Sequence, residues 1–164
     1  MTTTSVPSAS PEPVVSGRTL FCAHGGVGVV PSPLPPDYET EFASVTIDLD
    51  DPRGKTPITV KSIELMNESG KVVATMKRVV EMVTLDASKT PPGRTESGSW
   101  AFFLNPQGDP FDGNLPPGRT RLRVRASLNA SPMEYLTRVR VTFTFDGSKP
   151  PLVVEGEVWG SWPT

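Results

Sequence analysis

The residues best suited to chemistry are Cys22 and His24, the only cysteine and the only histidine in the chain. They stand two positions apart, and side chains at i and i+2 of a strand share a face, so the two groups can meet. A thiol beside an imidazole could act as a nucleophile with its base, or supply two metal ligands. A structural zinc site needs about four ligands, and the sequence offers no third group to orient the histidine. We therefore predict no catalytic residue, no metal and no cofactor, and expect that the chain is not an enzyme.

Two groups of acidic residues could bind a cation. Residues 48–51 carry three aspartates at a predicted strand end, and Asp109, Asp112 and Asn114 lie in a long loop. Calcium needs several oxygen ligands around one point, but neither group has the spacing of an EF-hand. We interpret both groups as solvated turn residues, and calcium at Asp109 and Asp112 stays open as the alternative.

The most prominent charged pattern is a row of arginines at every second position of one predicted strand. The row comprises Arg119, Arg121, Arg123 and Arg125, and a second predicted strand adds Arg138 and Arg140. Because side chains alternate between the faces of a strand, the arginines share one face, and the apolar residues between them share the other. We predict that the apolar face is buried and that the arginine face looks outward. That face is either solvated, with Glu81, Glu155 or Glu157 of the same fold offsetting its charge, or a surface for a partner's carboxylates or phosphate. Nucleic acid is disfavoured because aromatic side chains that stack on bases are sparse there.

Two tryptophans close the chain, in the sequence Trp159-Gly-Ser-Trp162-Pro. Chain ends are usually exposed, whereas tryptophan is enriched at interfaces. The tail therefore either folds back over the core or anchors a protein or a sugar. We predict that Trp159, Trp162 and the six arginines bind a partner.

Composition sets the class of protein within which these residues must work. The chain has 164 residues, 36% of them hydrophobic and 21% charged, which suits one domain with a core. The net charge of -2 gives no reason to expect nucleic acid or an anionic membrane as a partner. Nineteen prolines and 14 glycines oppose long helices. No apolar run could span a membrane and no signal peptide is evident, so we expect a cytoplasmic or particle-associated protein.

Alternating apolar and polar residues predict about eight short strands and an all-β fold, an antiparallel two-sheet β-sandwich. A break in the alternation near Lys61-Ser62 indicates a bulge. Residues 138–145 and 152–159 form a predicted hairpin, in which we place Arg140 opposite Glu157. Ser131, Pro132 and Glu134 form a helix-start signal, which predicts one short helical turn near 131–137.

The first 41 residues differ in composition from the rest. We predict a Pro/Gly/Ser-rich arm over 1–41, with an edge strand at 18–30, followed by the β-sandwich domain over 42–164. The arm either stays extended or becomes ordered against a neighbouring subunit.

Three features resemble immunoglobulin-like and fibronectin-III-like β-sandwiches. They are Val60-Lys-Ser-Ile-Glu-Leu65 with the turn at Gly70, the strand tryptophan Trp100, and Pro116-Pro-Gly118 leading into a long strand. The resemblance implies an architecture but no particular family, and a fold does not fix a function. We expect a non-enzymatic structural or accessory module that makes protein–protein contacts in a larger assembly, such as a phage or bacterial particle. The alternative is a sandwich that binds carbohydrate or peptide.

Overall fold

The computed structural model describes residues 14–26, 41–88, 108–130, 134–147, 149–158 and 160–161. These ranges contain ten strands and no helix, which confirms the all-β class. The strands are β1 (Ser16–Gly26), β2 (Glu41–Asp51), β3 (Thr56–Asn67), β4 (Val72–Leu85), β5 (Asp109–Pro110), β6 (Asn114–Leu115), β7 (Gly118–Leu128), β8 (Leu136–Phe145), β9 (Leu152–Glu157) and β10 (Gly160–Ser161). No described helix could span a membrane.

The strands follow one path, β10-β1-β2-β7-β4-β3-β8-β9, and every pair except the parallel β1 and β10 is antiparallel. The two ends of this path approach each other, because β10 follows β9 in the chain and pairs with β1. Thr19 Oγ1 on β1 also donates a hydrogen bond to the carbonyl of Glu155 on β9, at 3.2 Å. The sheet is therefore nearly closed into a barrel-like shape.

The long strand β4 joins two halves of this sheet. It pairs with β3 between Val72 and Thr75, and with β7 from Met76 to Leu85. We had predicted two separate sheets, whereas β4 changes partner and the strands follow one continuous path. Register shifts in β4 allow the change, since bulges add local twist. The bulge predicted near Lys61-Ser62 is confirmed, because the pairing of β3 with β8 shifts between Val60 and Ser62.

The gap where β3 and β4 diverge is filled by the segment 108–115. Its first part runs along β4, where the Phe111 amide donates to the Met82 carbonyl at 3.1 Å. Its second part runs along β3, where the Ile58 amide donates to the Gly113 carbonyl at 2.9 Å. These bonds satisfy backbone groups that the divergence of the two strands leaves open.

The hairpin of β8 and β9 forms, but its register differs from the prediction by two residues. Arg140 lies opposite Glu155 and Arg138 lies opposite Glu157, so the placement of Arg140 against Glu157 was wrong. A shift of two keeps every side chain on its face, so the sequence pattern of the faces cannot distinguish these two registers.

Apolar side chains from all the long strands meet inside the barrel. The apolar face predicted for β7 is confirmed, since Leu122, Val124 and Ala126 are fully buried. The same holds in β8 for Val139, Val141 and Phe143. The rest of this core includes Val45, Ile47, Leu49, Ile63, Leu65, Leu115, Leu136 and Val154.

Some predicted elements fall partly or wholly outside the described residues. The predicted helical turn near 131–137 begins in residues 131–133, which are not described, and Leu136 already belongs to β8. The strand predicted at 18–30 appears as β1 up to Gly26, paired with β2 along ten positions. The remainder of the arm (1–13 and 27–40), Trp100, Trp159 and Trp162 lie outside the described residues.

Candidate functional site

The arginine row of β7 is the centre of the candidate site, and its burial differs from the prediction. β7 lies between β2 and β4, and both of its faces are removed from solvent. Arg123 is 1% exposed and Arg121 is 6% exposed, although we had predicted an outward-looking, solvated or partner-binding face. Alternation fixed the two faces correctly, but it could not show that the outer face would also be covered.

Asp48 on β2 is the hub of this site. The strand register places it directly between Arg18 of β1 and Arg121 of β7. Arg121 binds it with two parallel hydrogen bonds, Nε to Oδ1 at 2.8 Å and Nη2 to Oδ2 at 3.2 Å. Arg119 Nη2 donates to Oδ2 at 2.9 Å, and the Arg18 guanidinium lies 3.8 Å from the same oxygen. One nearly buried carboxylate thus gathers three arginines.

The electrostatics of this hub favour the ionised carboxylate. Burial by itself would raise the pKa of Asp48, but the hydrogen bonds and charges of Arg121 and Arg119 outweigh it and lower the pKa below its ordinary value. Asp48 therefore stays negatively charged at neutral pH and offsets part of the local positive charge. A fork-to-fork arginine–carboxylate pair also fixes the geometry of both side chains.

The remaining β7 arginines have partners of their own. Arg123 forms an ion pair with Glu81 of β4, and burial lowers the pKa of its guanidinium although Glu81 raises it. Arg125 is half-buried and lies over the ring of Phe42, 5.1 Å from its centroid, in a cation–π contact. Each arginine of the row therefore contacts a carboxylate or an aromatic ring, and we call this row the arginine ladder.

Arg138 and Arg140 belong to a different part of the sheet. β8 pairs with β3 and β9, so these two arginines do not lie beside the β7 row. Arg140 Nε donates to Glu155 Oε1 at 2.8 Å and Arg138 Nη2 donates to Glu155 Oε2 at 3.2 Å. Hydrogen bonding from Arg140 lowers the pKa of the Glu155 carboxyl. The six arginines thus form two groups on different strands, and only the β7 group contains buried members, Arg121 and Arg123.

The Arg119 end of the β7 row is the more exposed one. The Arg119 side chain is 67% exposed and the Arg18 side chain is 65% exposed, although both contact buried Asp48. These two arginines line an open depression of about 410 Å³, together with Asp48, Asp50 and the start of β1. We call this surface the arginine depression.

Cys22 and His24 lie on the inner face of β1, where both are buried. Burial raises the pKa of the Cys22 thiol to about 12, so it stays protonated and is a poor nucleophile. His24 Nε2 lies 2.9 Å from Glu41 Oε2. Burial lowers the pKa of His24, and the nearby Glu41 charge only partly offsets this. The ring therefore pairs with Glu41, a residue that the sequence analysis did not single out.

Asp112 and Asp51 act within turns, but the interpretation of the acidic residues as solvated was wrong for Asp48 and Asp51, which are 7% and 2% exposed. Asp112 Oδ1 accepts a hydrogen bond from the Asn114 amide at 2.8 Å, and Asp51 Oδ1 accepts one from the Arg53 amide at 3.2 Å. These are the short side-chain-to-backbone bonds with which aspartate stabilises turns. The described residues bring no three His, Cys, Asp or Glu side chains into a metal-binding group.

Sequence reasoning missed two members of the site, Arg18 and Asp48 as a hub, and named Glu81 only as a possible partner of the row. A signal for Asp48 existed, because the acidic residues of 48–50 share a strand parity and match the spacing of Arg119 and Arg121. That signal becomes useful only once β2 and β7 are known to be antiparallel neighbours. Arg18 and Glu81 stand in strands whose neighbours the alternation alone does not identify.

Comparison with known proteins assigns no family. No family profile matches the chain, and no curated protein matches it. Among solved structures, it shows a TM-score of 0.30 and 15% identity to a family 123 glycoside hydrolase from Clostridium perfringens, studied for glycolipid glycan hydrolysis. The match covers 72% of this chain and 21% of that chain. A likeness of this size supports no argument, and the resemblance to immunoglobulin-like and fibronectin-III-like sandwiches stays a prediction.

Proposed function

We propose that the chain is a non-enzymatic structural or accessory module that makes protein–protein contacts within a larger assembly, such as a phage or bacterial particle. The observation that supports this most is the arginine depression, where Arg18 and Arg119 are held by buried Asp48 yet remain about two-thirds exposed. In this proposal the two halves of the sheet that β4 joins act as the two layers of a sandwich.

The anchoring of these arginines favours recognition of carboxylates. A guanidinium has five N–H donors, so an arginine that uses one or two of them on Asp48 keeps others for a second acceptor. Because the hydrogen bond to Asp48 fixes the position of Arg119, less conformational entropy is lost when a partner binds. Arg18, 3.8 Å from the same carboxylate, adds a second exposed cation to the depression.

The charge of the depression indicates the kind of partner. Arg18, Arg119 and Arg121 face Asp48 and Asp50, which leaves one positive charge in excess. The whole chain carries a net charge of -2. A second copy or an acidic partner protein would complement this patch, and charge complementarity of this kind sets orientation and association rate.

The test combines two measurements on the full chain. Sedimentation velocity at low salt examines association between copies, and a photo-crosslinking amino acid in place of exposed Asp50 captures a different partner in the native host. We expect either a defined oligomer or one recurrent adduct, lost in the Arg18→Gln/Arg119→Gln double variant. Lys61→Gln/Lys71→Gln is the control, since both lysines are exposed and lie on β3 and its turn. A monomer that yields no recurrent adduct, or an adduct that persists in the arginine variant, would overturn the proposal.

A further inference from the structure

One end of the barrel opens into a cleft of about 360 Å³, between the start of β1 and the turn that joins β8 to β9. Most of its lining is apolar and comprises Val14, Val15, Phe145, Pro150, Pro151 and Leu152. Phe145 and Leu152 are half-buried and pack against the core, whereas Val14 is 72% exposed. The cleft therefore keeps apolar surface that a small organic molecule can cover, and the mouths of barrels are common places for such ligands.

The polar group that distinguishes this cleft is the carboxylate of Asp51, the last residue of β2. Asp51 lines the cleft and is 2% exposed. Its Oδ1 accepts a hydrogen bond from the Arg53 amide at 3.2 Å. Its Oδ2 is buried, and no donor of the described ranges makes a hydrogen bond to it. A buried oxygen without a donor is unfavourable, more so when the group is charged.

The carboxylate of Asp51 is ionised, so its oxygens can only accept hydrogen bonds. Burial by itself would raise the pKa of Asp51, but the nearby Thr56 hydroxyl and the backbone amides of the turn outweigh it and lower the pKa below its ordinary value. An ionised carboxylate carries no proton to donate. Oδ2 therefore needs an O–H or N–H donor, which a ligand in the cleft can supply.

The charges of the cleft do not select an ion. Lys149 is exposed at the rim, and its positive charge offsets the negative charge of Asp51. Arg53 also lines the rim, but it has another interaction of its own, so we assign it no part in binding. An organic anion would meet Asp51 and an organic cation would meet Lys149, and either ion would lose hydration in an apolar cleft. A neutral ligand avoids both penalties.

From these observations we infer that the cleft binds a neutral small molecule with an apolar chain or ring and one hydroxyl or amide N–H donor. The apolar part covers Val14, Phe145 and Leu152, and the donor forms a hydrogen bond with Asp51 Oδ2. A molecule of the same shape without the donor would leave Oδ2 unsatisfied and would lose that bond. This site does not depend on the proposed assembly role, because none of its described lining residues belongs to the arginine depression.

Isothermal titration of the full chain with 1-octanol tests the inference. 1-Methoxyheptane has the same number of heavy atoms and an acceptor oxygen but no donor, and octanoate and octylammonium are the charged probes. We expect saturable one-to-one binding of octanol, and binding of the ether and of both ions weaker by about tenfold or more. No binding of octanol, or binding of the ether or of either ion as tight as that of octanol, would overturn the inference.

Asp51→Asn tests the role of Oδ2 as the acceptor. The new side chain can keep its oxygen toward the Arg53 amide, and it then presents an NH₂ donor in place of Oδ2. An alcohol and an ether can both accept from that donor, so the preference for octanol over the ether should disappear. Asp112→Asn is the control, because Asp112 makes the same kind of turn bond, to the Asn114 amide at 2.8 Å, outside the cleft. A preference that persists in Asp51→Asn, or is lost equally in Asp112→Asn, would contradict the assignment.

Val14→Ser tests the apolar part of the site without touching the turn. It removes apolar surface at an exposed position, and should weaken the binding of octanol and of the ether alike by about fivefold. Val80→Ser is the control, because Val80 is 52% exposed on β4 and is not among the described lining residues. Equal losses in the two variants, or no loss in Val14→Ser, would show that the ligand does not lie in the cleft.

Discussion

The central arginines of β7 and those of β8 arise from the same sequence pattern but differ in burial. Arg121 and Arg123 are 6% and 1% exposed, whereas the side chains of Arg138 and Arg140 are 52% and 37% exposed. Both groups have carboxylate partners, Asp48 and Glu81 for β7 and Glu155 for β8. Alternating arginine therefore reveals a strand with two faces, but it does not reveal whether the charged face is solvated.

The difference in burial changes what each ion pair contributes. Exposed pairs contribute little to stability, because water and salt screen them and ordering two side chains costs entropy. A buried pair has lost its hydration, so removing one partner leaves a charge that neither water nor protein stabilises. We therefore expect the buried ion pairs of β7 to contribute strongly to the free energy of unfolding, and the exposed pairs of β8 to contribute little.

The largest expected effect is that of Asp48→Ala, which leaves Arg121 without its two-pronged partner and Arg119 without its anchor. We predict a loss of about 3–5 kcal/mol in the free energy of unfolding, as for other broken buried pairs. Glu155→Ala removes the corresponding carboxylate beside Arg138 and Arg140, and should change stability by only a small fraction of that amount. Urea denaturation of both variants measures the contrast, and equal losses would show that the two rows do not differ.

A second substitution distinguishes the charge of Arg123 from its volume. Arg123→Ala removes both the ion pair with Glu81 and the packing of a fully buried side chain, and should cost about 2–3 kcal/mol. Arg123→Met keeps most of the volume and should recover part of that loss. The Glu81 side chain is 39% exposed in the folded structure, so water can hydrate its charge when the ion pair is lost. A methionine variant as unstable as the alanine variant would show that the charge, not the packing, dominates.

The dependence of stability on pH gives a smaller contrast. The folded pKa of Asp48 lies below its ordinary value of 3.8, so the unfolded chain takes up the proton first. The contribution of Asp48 is thus present above about pH 3.8 and lost as pH falls through the folded pKa. Asp48→Asn should flatten the acid limb of a stability–pH curve below that value. The pKa of His24 is lowered from its ordinary value of 6.5, so the contribution of His24 to stability is lost as pH falls below about 6.5. The Asp48→Asn substitution should leave that part of the curve unchanged.

Salt should produce the smallest effect, and only on the exposed pairs of Arg138 and Arg140 with Glu155. The screening length falls from about 10 Å at 0.1 M to about 3 Å at 1 M, which weakens pairs in contact with solvent. The small destabilisation caused by Glu155→Gln should therefore shrink further at 1 M sodium chloride, whereas that caused by Asp48→Asn should persist. Denaturation of each variant at the two salt concentrations makes the comparison, and parallel salt dependence in both would contradict it.

The sequence made the strands and their inner faces predictable, because alternation is a local property. Leu122, Val124 and Val141 are buried as expected, and the bulge beside Lys61 is present. Strand neighbours were not predictable, since the pairing of β7 with β2 joins residues 67 to 85 positions apart. Register within β8 and β9 was ambiguous by two residues, because both alternatives keep the same faces.

The candidate site depends on these non-local features. The conversion of the arginine row into a buried ladder requires Asp48 from β2 and Glu81 from β4 on either side of β7. The outer face of β7 is covered, so that Arg123 is only 1% exposed. No feature of the local sequence predicts this burial.

Hydrogen exchange of the arginine side chains tests the central claim most directly. Selective ¹⁵N labelling gives one Nε–H signal for each arginine, and Arg121→Lys and Arg123→Lys assign the two of interest. We predict that the Nε–H groups of Arg121 and Arg123 exchange slowly with water at neutral pH, while those of Arg119 and Arg138 exchange rapidly. Rapid exchange at Arg121 and Arg123 would show that the outer face of β7 is solvated, which would contradict the buried ladder.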